Sequence, residues 1–214
     1  MKKIELAHVA GQDPYGTALK IALEELGNAD MEERCRKAGA VWAPRSPQGG
    51  VVDLRCLGRG VRIRFPEGYF EADGEAPPQW ERVLLLHYLI TASGAPPTGR
   101  MITFKQVPGG AFYYPAFARR TTQLLLKNFG GRLEDWLDAA GRLGWGGAPF
   151  GDAAVEVEAL PMVRVIYVLW KGDEEFPPDG NVLFDENITQ YFPVEDIAVL
   201  CNMIALKMVR EDRK

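Results

Sequence analysis

Between Gly172 and Asp196 the sequence has no Lys, Arg or His, yet it carries eight carboxylates: Asp173, Glu174, Glu175, Asp179, Asp185, Glu186, Glu195 and Asp196. The formal net charge of the 214 residues is −4, so everything outside that stretch sums to about +4 by subtraction. Carboxylates set this close together raise one another's pKa unless a cation, a helix N-terminus or solvent compensates them. The stretch is therefore the first place to look for chemistry.

Other absences narrow the field. Cysteine is scarce: Cys35, Cys56 and Cys201 are three, far apart and in no CxxC spacing. That argues against a disulfide framework, and against a zinc or iron–sulphur site held by this chain alone. Reduced, buried thiols are expected, as in a cytoplasmic protein. No run approaches the roughly 20 apolar residues that span a bilayer. The N-terminal Met1–Leu6 turns polar by Gln12-Asp13, too early for the apolar region of a signal peptide. The expectation is a cytoplasmic protein without membrane association. Its acidic balance argues against general nucleic-acid binding. No dinucleotide, P-loop, GxSxG, HExxH or Cys–His nucleophile pattern occurs, and the pairs Gly109-Gly110, Gly130-Gly131 and Gly146-Gly147 read as turns and helix stops.

What is present reads as an α+β fold over residues 1–214, with a mixed or antiparallel sheet packed against several helices in a single domain. Asp13, Pro14 and Gly27 bound a helix by capping logic, and a short helix follows over Met31–Lys37. Val52, Leu54 and Cys56, then Val61, Ile63 and Phe65, alternate with polar residues around Leu57-Gly58-Arg59-Gly60. This predicts a hairpin with one core face and one face bearing Arg55, Arg62 and Arg64. Pro66–Pro78 reads as irregular, Gln79–Ser93 as an apolar helix with Trp80, Val83, Leu84, Leu86, His87 and Ile90 inward, and Met101–Lys105 as a strand. Helices are expected over Pro115–Phe129 and Leu133–Leu143. Ala154–Glu158 would pair with a central strand over Met162–Trp170, followed by a short strand over Asn181–Phe184 and a terminal helix over Pro193–Glu211.

Asp173, Glu174, Glu175 and Asp185 are the foremost ligand or metal candidates, because several carboxylates in one loop supply the oxygens a divalent cation takes. Two with split pKa values would serve as acid and base. Their spacing matches no standard metal motif. The bland alternative has the aspartates bonding turn amides while Phe176 and Phe184 pack inward. His87 is a secondary candidate on an apolar helix face and needs a partner, for which Asp173 or Glu175 would serve; His8 has no supporting context. Arg119 and Arg120, near the start of the helix expected from Pro115, would oppose its dipole unless a carboxylate or bound anion sits there. Glu195 and Asp196, at the start of the terminal helix, are explained by its dipole alone.

Three stretches resemble the uncharacterised family known as domain of unknown function 3786. The first is Leu86-His87-Tyr88-Leu89-Ile90 with Gly94, then Thr98-Gly99-Arg100-Met101-Ile102-Thr103-Phe104. The second is Gly109-Gly110-Ala111-Phe112-Tyr113 with Phe117 and Arg119. The third runs from Leu160-Pro161 through Trp170-Lys171-Gly172-Asp173-Glu174-Glu175-Phe176-Pro177 and Leu183-Phe184-Asp185 to Pro193-Val194-Glu195-Asp196-Ile197-Ala198. The resemblance implies a protein mainly of anaerobic bacteria and archaea, sometimes fused to a predicted iron–sulphur-binding domain. It implies no reaction and no defined cofactor.

Three functions stand as expectations. The first is a non-catalytic cofactor- or partner-binding accessory protein of anaerobic metabolism, with a redox or iron–sulphur protein as partner. The second is a carboxylate- or divalent-metal-dependent hydrolase or lyase centred on residues 173–186. The third is an interaction module that docks through the acidic loop.

Overall fold

The computed structural model describes residues 13–46 and 49–214; His8 and the N-terminal segment weighed for a signal peptide lie outside them. Asp13 caps helix α1 (Pro14–Gly27) by accepting from the Gly16 amide at 3.1 Å, with Pro14 in the first turn. Asp30 does the same for α2 (Met31–Ala38), which ends at Gly39 with φ +65°. That left-handed cap is the conformation glycine adopts without strain.

Strands β1 (Val41–Ser46), β2 (Gly49–Cys56), β3 (Arg59–Phe65) and β4 (Tyr69–Ala72) form an antiparallel sheet in sequence order. The period-2 reading holds: Val52, Leu54, Cys56, Val61, Ile63 and Phe65 are buried, and Arg55, Arg62 and Arg64 are exposed. The connection is tighter than expected. Cys56 pairs directly with Arg59, leaving only Leu57 (φ +50°) and Gly58 (φ +81°) in the turn. Two positive φ angles match the twist of a two-residue hairpin turn. Arg59 therefore begins a strand instead of sitting in a turn. β4 lies inside the segment expected to be irregular, and β1 carries a register shift between Pro44 and Ser46.

Helix α3 (Gln79–Thr91) packs against α1 and α2, so its burial exceeds one face: Leu85, Tyr88 and Leu89 are buried beside Val83, Leu84 and Leu86. Trp80, His87 and Ile90 are only partly buried.

The second sheet is also antiparallel, so the fold is α+β with two sheets instead of one. Its order is β5 (Met101–Thr103), β9 (Asp179–Asp185), β8 (Val163–Trp170), β7 (Ala153–Leu160), β6 (Gly146–Gly147). The nearly continuous apolar run of β8 takes the middle position, as buried strands do. Helices α4 (Gly110–Arg120), α5 (Thr122–Phe129), α6 (Leu133–Arg142) and α7 (Val194–Asp212) accompany this half. The helix expected from Pro115 instead begins at Gly110 and breaks at Thr121, where φ is −123° and ψ −93°. The Thr121 hydroxyl donates to the Phe117 carbonyl at 2.7 Å, offering the backbone an alternative to the helical ladder.

The halves share one core. The Leu57 amide donates to the Ala159 carbonyl at 2.9 Å, and the Tyr167 hydroxyl donates to the Cys201 carbonyl of α7 at 2.6 Å. All three cysteines are free and buried, and burial pushes the Cys35 and Cys56 thiols up to about 12.

Candidate functional site

The acidic stretch does not converge. Trp170 pairs with Asp179 at one end of the β8–β9 ladder, and Asp173, Glu174 and Glu175 lie in the exposed loop beyond that end. Asp185 closes β9 at the other end, six residues on, which at about 3.4 Å per residue is roughly 20 Å away. Asp173 closes its own turn: its Oδ1 accepts from the amides of Glu175 (2.9 Å) and Phe176 (2.7 Å), and its amide donates to the Phe176 carbonyl. The bond from the Phe176 amide, then that from Glu175, holds the carboxyl below its usual pKa.

Asp185 acts as a clip between segments. Its Oδ1 accepts from the Thr98 amide (2.9 Å), the Thr98 hydroxyl (3.1 Å) and the Asn187 amide (3.0 Å), and its Oδ2 from the Gly99 amide (2.6 Å). Partial desolvation pulls its pKa up, but these bonds outweigh it and the net direction is down. The clip secures one wall of a polar groove of about 580 Å³ lined by Thr98, Arg100, Gln106, Glu186 and Asn187. Arg100 and Glu186 pair there at 2.9 Å. Among the described residues no group of three or more His, Cys, Asp or Glu side chains is placed to hold a metal ion.

The end of the sheet that carries Asp173 has a second character. Phe150, Trp170 and Phe176 are 37%, 38% and 67% exposed there, beside the carboxylates Asp152, Asp173, Glu174, Glu175 and Asp179 and the base Lys171. Asp152 stitches the loops together by accepting from the Lys171 amide at 2.7 Å.

His87 does find a carboxylate, though neither Asp173 nor Glu175. Its Nδ1 meets Asp196 Oδ2 at 2.8 Å, joining α3 to the first turn of α7. The hydrogen bond to Asp196 outweighs partial burial and raises the histidine's pKa. Asp196, explained from sequence by the helix dipole alone, thus has a second role. The partners are 109 residues apart, and no local pattern links them.

Arg119 and Arg120 occupy the last turn of α4, where cations complement the dipole instead of opposing it. Starting the helix five residues earlier reverses the expectation. Both are exposed, and neither makes an ion pair among the described residues. The hairpin arginines are satisfied locally: Arg62 pairs with cross-strand Asp53 at 2.9 Å, Arg64 lies over the Tyr69 ring, and Arg55 donates to Gly58.

One constellation carries almost no signal in the sequence. Arg59 ion-pairs with buried Glu81 of α3, Lys207 of α7 donates to the Leu57 carbonyl at 3.0 Å, and the ammonium lies 5.9 Å from the centre of the Trp145 ring. Trp145, together with Gly58, lines a groove of about 490 Å³. Arg59 gives a weak hint, as an arginine beside a tight turn; Glu81 and Lys207 give none, being ordinary helix residues.

A family model described as "Domain of unknown function (DUF3786)" matches residues 30–207. Searches of curated proteins and of solved structures returned no match.

Proposed function

The chain belongs to the domain of unknown function 3786 family, and from that premise and the site geometry we propose that it is a non-catalytic accessory protein of anaerobic metabolism that docks a redox or iron–sulphur protein partner. The reading is carried by the end of the second sheet, where Phe150, Trp170 and Phe176 are exposed beside the carboxylates Asp152, Asp173, Glu174, Glu175 and Asp179. Aromatic rings supply apolar contact area, and the surrounding carboxylates steer and orient a basic partner surface. The rival reading, a hydrolase or lyase centred on residues 173–186, requires at least two of Asp173, Glu174, Glu175 and Asp185 to meet in a concave pocket; Asp185 closes the far end of β9 from the loop that carries the other three, which are exposed.

The test is capture from an anaerobic lysate by the immobilised protein, with partners identified by mass and repeated with purified components. A defined partner should bind at low salt, be released as ionic strength rises toward about 0.5 M, and fail to bind a Glu174→Gln, Glu175→Gln, Phe176→Ser variant that melts like the parent. Salt-insensitive binding, or full binding by the variant, overturns the reading.

A further inference from the structure

Helix α4 leaves one face exposed. Between Glu81 and Glu134 the sequence has no carboxylate but seven Lys and Arg residues, a basic counterpart to the acidic stretch. Two of those bases, Arg119 and Arg120, lie on α4 with Phe112, which is 85% exposed, and Tyr113, which is 42% exposed. At about 100° per residue these four positions fall within an arc of about 120°, turned away from the buried Phe117 and Ala118. The Phe112 ring stands edge-on to Tyr113, with centroids 5.4 Å apart. Exposed aromatic rings beside arginines have the composition of an interface core, where Phe, Tyr and Arg are enriched.

The surroundings of this face point to what covers it. The chain after α4 runs directly against the acidic end of the second sheet: a Cβ placed on Gly180 would stand 3.4 Å from the Thr122 Cβ. Arg120 is two residues removed from that contact, and Asp179 is one. A basic and an acidic set are therefore neighbours on the surface, yet they do not neutralise each other. Among the described residues no ion pair includes Arg119, Arg120, Asp173, Glu174, Glu175 or Asp179. A surface with a basic half beside an acidic half is complementary to itself, because a twofold rotation sets each half against the other. Phe112 and Tyr113 on one half, with Trp170 and Phe176 on the other, give such a contact apolar area between its charges. We propose that two copies of this chain associate through this end as a twofold dimer, the α4 arginines of each copy meeting the acidic loop of the other. The dimer and a redox partner use the same carboxylates, so each excludes the other from that surface.

The test uses the purified chain alone, so failure of the dimer and failure of partner capture are separate results. Sedimentation velocity at low salt should show a reversible monomer–dimer equilibrium at micromolar concentrations, the weaker end for interfaces of standard size. Raising the ionic strength toward about 0.5 M should shift it to monomer. The variants Arg119→Glu, Arg120→Glu and Glu174→Arg, Glu175→Arg each set like charges against one another in both halves of the contact. Each should weaken the dimer at least about a hundredfold. Mixed one to one, the two variants should recover a heterodimer, since one contact is then native and the other has both signs reversed. A misfolded variant would not be rescued in this way. Phe112→Ser should weaken the parent dimer at least about tenfold. Its melting temperature, taken at a dilution where both proteins are monomeric, should stay within about 2 °C of the parent. A parent still monomeric at about 100 μM, charge-reversed variants that dimerise like the parent, or a mixture that stays monomeric overturns the proposal. Growth of the mixture into open-ended species overturns the twofold arrangement.

Discussion

The hydrogen bond between His87 and Asp196 makes stability depend on pH in a direction that the geometry fixes. Its effect is to raise the histidine's pKa above the usual 6.5. The contact therefore stabilises the fold fully below pH 6.5, and that gain is lost as pH rises through the raised value. Replacing Asp196 with Asn should cost about 1–3 kcal/mol at pH 5.5, the range for a hydrogen bond to a charged group, and clearly less at pH 9. Urea unfolding at the two pH values checks this; a cost independent of pH would show that the imidazole does not carry the linkage. Asp185 runs the other way. Its folded pKa lies below the usual 3.8, so its four bonds stabilise above that pH and fade as pH falls through the lowered value. Asp185→Asn places an amide donor against donors and should lower stability at pH 7 by about 1–3 kcal/mol, with the deficit shrinking as the pH falls below 3.8. A residue kept for a ligand alone would leave the unfolding midpoint unchanged.

At the scale of elements, α3 is anchored to the first sheet by the pair of Glu81 and Arg59 as well as by its apolar side chains. Glu81 is 4% exposed, whereas the Arg59 side chain keeps 30% of its surface, so removing the carboxylate charge leaves a guanidinium that water reaches only in part. Glu81→Gln should cost about 1–3 kcal/mol, and the double variant Arg59→Met, Glu81→Met distinctly less than the single one. A double-mutant cycle followed by thermal melting checks it. The same helix shows what local sequence does and does not convey. Its existence is legible from the apolar run of Val83–Ile90, and the hairpin from the alternation on both sides of Gly58. Which flanks of α3 are covered is not legible, because that depends on α1 and α2 packing across it. The break at Thr121 escapes for a related reason. Pro115 is an ordinary first-turn residue by local rules, so it draws the expected helix start to itself although the chain has already turned at Gly109 (φ +81°). At the site, the carboxylates are legible as a charge anomaly. Their separation along β9 follows from strand pairing, and His87 meeting Asp196 follows from helix packing; neither is encoded within a local window.

For the whole molecule, Tyr88 is the joint between the halves. Its hydroxyl donates to the Ala38 carbonyl at the end of α2 (2.6 Å) and accepts from the Met162 amide in the β7–β8 turn (3.2 Å), while its ring stacks on Tyr191. Tyr88→Phe strands a carbonyl and an amide from opposite halves and should cost about 1–3 kcal/mol. Because one apolar core runs through both halves, the melt should remain a single transition at lower temperature; two transitions in calorimetry would show that the halves unfold independently. The arrangement of strands carries one more consequence. The outermost strands of the second sheet, β5 and β6, are three and two residues long, and the outer strand β1 of the first contains Pro44, which has no amide to donate, next to a register shift. Each is a device that blunts a sheet margin against pairing with a neighbouring molecule. A protein that presents three partly exposed aromatic rings at one end has been left with little unpaired backbone along these margins, so concentrating it should favour contacts through side chains over the ladder growth that leads to fibres.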